Sequence, residues 1–237
     1  MKKPIIFYNI AFSNEGSTSV SFLNALKKYL GKNDRVICLV DKVTSKNTKN
    51  FIKKFSKKNK KFILKIIFNT ATFAETKLKG LRLSVNFCDY IIDMDGNGSH
   101  NPSHLPLILK KIYTKKYDAV SGSRFLSGGK YIGRINRYFL SYFGTILSNL
   151  ILNMNFTDAT GGYVCISKKV TKIFLAKKIY SKSHFYHVEL KNCINQYNYF
   201  EVPIIYKKAN SGISFWTSIM AVINLFRVKL DNIFRKK

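Results

Sequence analysis

Acidic side chains are scarce in this chain: Asp and Glu total 12 against 41 Lys and Arg, a formal net charge of +29. That imbalance determines no fold, but it implies a polyanionic partner or surface, whether nucleic acid, anionic lipid or a phosphate-rich substrate. Cysteine is sparse and scattered (Cys38, Cys88, Cys165 and Cys193). This excludes a paired-cysteine metal motif and fits buried free thiols in a reducing compartment. No run of about eighteen uncharged apolar residues occurs, so a membrane-spanning helix is not expected. The start, Met1-Lys2-Lys3-Pro4 followed by Ile5-Ile6-Phe7, lacks the long apolar core and small-residue cleavage site of a signal peptide and reads as a first strand. Internal repeats and low-complexity linkers are also missing. The expected location is the cytoplasm or the cytoplasmic face of a membrane.

What is present is apolar material, 46% of 237 residues, enough for one sizeable core. One domain with a tail is therefore expected, not two domains. In the first half, short apolar runs alternate with longer amphipathic ones. Ile5 to Tyr8, Arg35 to Val40, Phe62 to Phe68, Tyr90 to Ile92 and Ala119 to Gly122 read as buried strands. Between them Phe22, Leu26 and Tyr29, and later Leu105, Leu109 and Ile112, recur at helical spacing. This alternation implies an α/β fold with a mostly parallel sheet and helices on both faces. Ligands then bind beyond the carboxyl ends of the strands.

A longer helix is expected from Asn136 to Asn153. Lys53 to Lys61, with six lysines in nine residues, reads as a solvated helix end and loop. Phe215 to Phe234 combines Ile219, Val222, Ile223, Phe226 and Leu230 with Arg227 and Lys229, and Arg235, Lys236 and Lys237 follow. Such an amphipathic helix with a cationic end suits a membrane interface or, alternatively, packing on the core.

The most unusual polar cluster follows the fourth apolar run: Tyr90-Ile91-Ile92-Asp93-Met94-Asp95-Gly96-Asn97-Gly98-Ser99-His100-Asn101-Pro102. Acidic and amide oxygens after a buried strand can converge on one hard cation, which can bridge the diphosphate of a nucleotide. An Asp–Gly loop can equally serve only to cap the next helix. Asp93 and Asp95 are two residues apart, so the pleat places them on one face. His100 with His104, and His184 with His187, have spacings that suit zinc, but no third ligand accompanies either pair.

This cluster resembles the metal-binding stretch of inverting family-2 glycosyltransferases with the GT-A (Rossmann-like) fold. It is most similar to the dolichol-phosphate mannose synthase-like branch, which shows an apolar strand, then Asp-x-Asp, then His-x-Pro. Aligned through Ser99 to Pro102, the two motif acids fall on Asp95 and Asn97, with Asp93 just before them. Asn97 departs from the pattern: an amide oxygen can coordinate Mg²⁺ or Mn²⁺ but adds no charge, which Asp93 could offset. Gly122-Ser123-Arg124-Phe125, Gly128-Gly129, Arg137 and Ser141 are similar to the residues that hold the acceptor phosphate in that branch. Guanidinium groups and a hydroxyl suit phosphate oxygens. Arg137 and Ser141, four apart, share a helix face.

Asp158-Ala159-Thr160-Gly161-Gly162-Tyr163 resembles the family's Asp-x-Thr-Ser-Gly-Phe-Arg, with Val164 replacing the arginine. Glu189 matches a helical glutamate near the acceptor, and Glu201-Val202-Pro203-Ile204 the strand after it; Glu201 alone reads as a strand-edge charge. Ser214 matches the end of a Gly-x-Ser motif, with Ala209 where an arginine is usual and Lys207 and Lys208 as stand-ins. Asn14, Glu15 and Asp41 match positions at the nucleotide end, where the motifs around Lys42 to Lys46 and Ala71 to Phe73 are poorly kept.

The resemblance implies a GT-A domain over residues 1–213, and the residue pattern predicts a basic, membrane-associated amphipathic helix over 214–237. The resemblance also implies a metal site at Asp93, Asp95 and Asn97, and nucleotide contacts at Asn14, Glu15 and Asp41. Acceptor contacts are implied at Arg124, Arg137, Ser141, Asp158, Glu189 and Ser214, with Asp95, Arg124, Arg137 and Ser141 carrying catalysis. The implied reaction moves a sugar from a nucleotide diphosphate-sugar, GDP-mannose or UDP-glucose, to a polyprenyl phosphate at an anionic membrane surface. No specific nucleic acid is implied. Three rivals stand beside it. One is a transferase acting on a saccharide hydroxyl, with Asp158 or Glu189 as base. Another is a relative that has lost catalysis, given Asn97, Val164 and Ala209. The last is a basic nucleic-acid-binding protein, whose binding would weaken steeply with salt.

Overall fold

The apolar runs become strands in the computed structural model, which describes residues 3–67, 72–207 and 215–234. β1 (Ile6–Ala11), α1 (Thr18–Lys27), β2 (Arg35–Asp41), α2 (Lys46–Lys58), β3 (Phe62–Ile67), α3 (Phe73–Ser84), β4 (Tyr90–Asp95), α4 (Leu105–Tyr113) and β5 (Ala119–Ser123) alternate strictly. They are followed by β6 (Lys130–Ile132), α5 (Ile135–Leu152), β7 (Val164–Ser167), α6 (Lys168–Ala176), α7 (Tyr186–Ile194), β8 (Tyr199–Pro203), β9 (Ile205–Lys207) and α8 (Phe215–Phe234). The main sheet runs β3-β2-β1-β4-β7-β5-β8 and is parallel except for β7, which is antiparallel to β4 and to β5. β6 and β9 form a separate parallel pair.

Both faces of the sheet are covered, which is why the strands read as continuous apolar runs. Ile6, Tyr8 and Ile10 of β1 and Val36, Cys38 and Val40 of β2 face one way, against Phe22 of α1, Ile52 of α2 and Ile108 of α4. Phe7, Ile37 and Leu39 face the other way, against Leu81 of α3, Phe174 of α6 and Leu190 of α7. The four cysteines are buried and free. Burial pushes the Cys88 thiol up to about 12, so it is inert at neutral pH.

The C-terminal segment packs on the core, as the second of its sequence readings expected, and its cationic end, Arg235 to Lys237, lies outside the described residues. Leu225 and Val228 of α8 join the core, and α8 packs along α5. The remaining circumference of α8 leaves Trp216 72% and Phe226 55% exposed, and α5 leaves Phe143 61% and Leu150 78% exposed. No described helix is long and apolar enough to cross a membrane.

Candidate active site

β1, β2 and β4 are parallel, and β5 runs with β4 because both are antiparallel to the β7 between them. All four strands therefore deliver their carboxyl ends to one edge. Asp95 is the last residue of β4, and Ile91, Asp93 and Asp95 alternate toward the α3 side of the sheet. On α3, Ala74, Lys77, Leu78 and Leu81 form the inward face at helical spacing, so one lysine occupies a core position. Lys77 Nζ lies 2.7 Å from Asp93 Oδ1 and 3.1 Å from Asp95 Oδ1, and it donates to the Met94 carbonyl at 3.0 Å. The pleat thus does place Asp93 and Asp95 on one face. Asp93 is sealed beneath the strand end, while the Asp95 side chain keeps 17% of its exposure.

Electrostatics separate the two acids. Burial dominates at Asp93 and raises its carboxyl to about 6 against the pull of Lys77. Burial also opposes ionisation of Asp95, but Lys77 and the neighbouring His100 outweigh it and hold that carboxyl well below the usual range. Lys77 is desolvated, yet its two carboxylates keep it charged.

Beyond Asp95 the chain turns through Gly98, whose φ of +79° favours glycine. The Asn97 Oδ1 accepts from the Ser99 N–H at 2.9 Å, and the Asp95 N–H donates to His100 Nδ1 at 2.9 Å. Burial lowers His100 to about 4, so the ring is neutral at pH 7 and carries its proton on Nε2.

The antiparallel β7 explains the next contact. The loop preceding it, Asp158 to Gly162, must start at the edge where β5 ends, and there it meets Arg124. Arg124 Nε and Nη2 donate to the two Asp158 carboxylate oxygens, each at 2.7 Å, and Nη2 also donates to Thr160 Oγ1 at 2.7 Å. Burial would raise Asp158, but this bidentate pairing outweighs it and holds the carboxyl at about 2. Tyr131 of β6 and Tyr206 of β9 stand beside the guanidinium at 5.8 and 5.3 Å. Glu201 is more than a strand-edge charge: it accepts from the N–H groups of Thr157 (2.7 Å) and Asp158 (3.3 Å). Lys191 donates to the Asp158 carbonyl from below. Gly162 is required by close approach, since a Cβ there would sit 2.5 Å from the His187 ring.

These elements enclose a cavity of about 580 Å³. Asp95, Asn97, His100, Arg124, Arg137 and Ser141 line it, together with Leu140, Phe143, Leu147, Val222 and Leu225 of α5 and α8. Five residues expected from sequence are thus brought together. Others are not. Asp158 is turned onto Arg124 and does not line the cavity. Glu189 accepts the N–H groups of Tyr180 (2.7 Å) and Ser181 (3.1 Å), tying down its own preceding loop. Asp41 accepts from Val43 and Thr44 at the end of β2 and from Thr76 Oγ1 on α3. Glu15 accepts from the Ser13 N–H, while Asn14 is exposed; both lie at the end of β1, outside the cavity lining. Ser214 lies outside the described residues.

Sequence reasoning passed over Lys77, although its place among Ala74, Leu78 and Leu81 was a readable signal. Tyr131 and Tyr206 carried none, because they meet only through two three-residue strands.

Glu189 allows a test by pH. Burial raises its carboxyl to about 7, against the two N–H donors that lower it. The folded value lies above the unfolded value of about 4.3. Its contribution is therefore fully present below that pH and is lost as pH rises through about 7. Relative to Glu189→Gln, the wild-type chain is expected to lose about 1–3 kcal/mol between pH 5 and pH 8 in denaturant titrations.

The donor set fits a hard divalent cation. Asp95 offers a carboxylate and Asn97 an amide oxygen, both at the cavity wall. Among the described residues no three His, Cys, Asp or Glu side chains converge as a metal site, so such a cation would complete its shell with ligand and water oxygens.

Residues 10–174 match the family model for glycosyl transferase family 2. A stretch of 103 residues, 43% of this chain, is 32% identical to 42% of an undecaprenyl-phosphate mannosyltransferase from Micrococcus luteus. A stretch of 127 residues, 52% of the chain, is 27% identical to 48% of the polyprenol monophosphomannose synthase of Mycolicibacterium smegmatis. The matches thus span less than half the length of either relative. In three dimensions the chain is similar to glucosyl-3-phosphoglycerate synthase from Mycobacterium tuberculosis, solved with Mn²⁺, UDP and phosphoglyceric acid. The TM-score is 0.67 at 13% identity, over 95% of this chain and 78% of that one, a likeness of fold.

Proposed function

The chain belongs to glycosyl transferase family 2, and from that premise we propose that it transfers a sugar from a nucleotide diphosphate-sugar to a polyprenyl phosphate, with inversion. The observation that carries this reading is the mixed lining of the cavity. Asp95, Arg124, Arg137 and Ser141 share it with apolar side chains of α5 and α8. A long lipid headed by a phosphate has the same mixed character. The two relatives named for polyprenyl-phosphate and polyprenol mannosylation support the acceptor class. They favour GDP-mannose as donor, while the UDP-bound fold neighbour keeps UDP-glucose in view.

In this reading Asp95 and Asn97 would hold Mg²⁺ or Mn²⁺, which would supply positive charge against the departing diphosphate. Arg137 and Ser141, one turn apart on α5, hold the acceptor phosphate. Arg124 spends its fork on Asp158, so it contributes charge at the cavity wall and a fixed 158–162 loop. A phosphate oxygen is anionic at neutral pH and needs no base. The saccharide-hydroxyl alternative needs one, and neither Asp158 nor Glu189 lines the cavity. The work is positioning and electrostatics.

The test is transfer of radiolabelled sugar from a donor panel to polyprenyl phosphate in vesicles, with Mg²⁺, with Mn²⁺ and with EDTA. Metal-dependent label in the lipid fraction is the expected result. Label only in free saccharide would move the acceptor assignment to glycans.

The exposed apolar sides of α5 and α8, on a chain of net charge +29, are assigned in this proposal to the cytoplasmic face of an anionic membrane. Phe143→Glu combined with Phe226→Glu is expected to weaken co-sedimentation with phosphatidylglycerol vesicles about tenfold or more. The circular dichroism spectrum should stay unchanged, because both rings are exposed.

A further inference from the structure

Lys77 and its partner Asp93 are the groups of the buried cluster that the proposed reaction does not use. The Lys77 side chain has no exposure, and its ammonium is held on three sides by Asp93 Oδ1, Asp95 Oδ1 and the Met94 carbonyl. The Phe73 ring stands at 5.4 Å. An ammonium so enclosed cannot swing aside as a surface lysine would. Two carboxylates and one ammonium leave the cluster a single net negative charge, and Asn97, where the related motif has a carboxylate, adds none.

We infer that Lys77 makes metal uptake conditional on the nucleotide: the free protein takes up a divalent cation poorly, and the cation and a nucleoside diphosphate bind together. A cation reaching Asp95 meets the fixed ammonium across that same carboxylate. The ammonium is desolvated, so little water screens the repulsion. A diphosphate supplies the negative charge that the protein side lacks. By linkage, cation and diphosphate then strengthen each other's binding by an equal factor. Lys77 is a positioning residue here: it touches neither substrate nor metal, and it sets the charge of the carboxylate that does. The inference rests on the reading that Asp95 and Asn97 carry the cation.

The test is Mn²⁺ binding by electron paramagnetic resonance, on the full chain, with Mn²⁺ alone and then with saturating GDP or UDP. Wild type should bind Mn²⁺ alone at least about tenfold more weakly than with nucleotide. Lys77→Met should tighten Mn²⁺ alone by about tenfold or more and shrink the effect of the nucleotide. Should Lys77→Met lose its folded circular dichroism signal, the same step is made on Asp93→Asn. The double variant Lys77→Met/Asp93→Asn carries the wild-type net charge and should bind Mn²⁺ about tenfold more tightly than Asp93→Asn alone. Mn²⁺ affinity within twofold of the parent in both backgrounds would overturn the role of Lys77 and leave the proposed function standing. Mn²⁺ bound by no protein at any nucleotide concentration would overturn both.

Discussion

Asp95→Asn is expected to lower kcat/KM for sugar transfer by about 10³-fold while leaving the melting temperature within about 2 °C of wild type. The two halves of that expectation come from different contacts. Asparagine keeps the shape of the side chain and the Asp95 N–H bond to His100 Nδ1, so the turn into Gly96 and Asn97 persists. Lys77 keeps Asp93 at 2.7 Å as its partner, so no buried charge is stranded. What disappears is the carboxylate at the cavity wall, the only one among the described residues that line it. Steady-state kinetics with the donor and lipid found in the transfer assay, beside a thermal melt, give both readings. A loss below about tenfold would remove Asp95 from the metal role. Asn97→Asp points the other way. It restores a second carboxylate, and Mn²⁺ should then bind more tightly.

The second large effect is on stability. Asp158→Asn leaves the Arg124 guanidinium buried, 7% exposed, without its counter-charge. Breaking a buried pair by removing one partner costs about 3–5 kcal/mol, which for a chain of this size lowers the melting temperature by about 10 °C. The double variant Arg124→Met/Asp158→Leu removes both charges and should recover most of that loss. Transfer should stay impaired in the double variant, because the pairing that fixes the 158–162 loop beside the cavity is gone, although Arg137 remains. A double variant that melted as low as Asp158→Asn would show that the penalty lies in the loop and not in the stranded charge. The pair also shapes the acid limb of stability. The Asp158 carboxyl is held at about 2 in the folded chain, below its ordinary value. Its stabilisation is present at neutral pH and is lost as pH falls through about 4 toward 2. Asp158→Asn should flatten that limb.

Much of this protein was written in local pattern. The five apolar runs of the first half became β1 to β5, and their lack of alternation announced a sheet covered on both sides, as Ile6 and Phe7 show by facing different cores. The end of β4 could be located from Tyr90 to Pro102 alone, because an acid at the end of a buried strand before glycines is conspicuous in any context. Pairings over long separations were decided elsewhere. Arg124 and Asp158 lie 34 positions apart and meet only because β7 inserts antiparallel between β4 and β5. Lys77 reaches Asp93 only because α3 covers the face to which that strand's odd-numbered residues point. Glu189 and Asp158 matched acceptor-side positions in sequence, yet both spend their oxygens on neighbouring protein groups. The reason is physical. Hydrophobic periodicity records which residues leave water, a one-body property that each segment carries by itself. Which charge finds which counter-charge is a two-body property, and it exists only once backbone hydrogen bonding has fixed the order and direction of the strands.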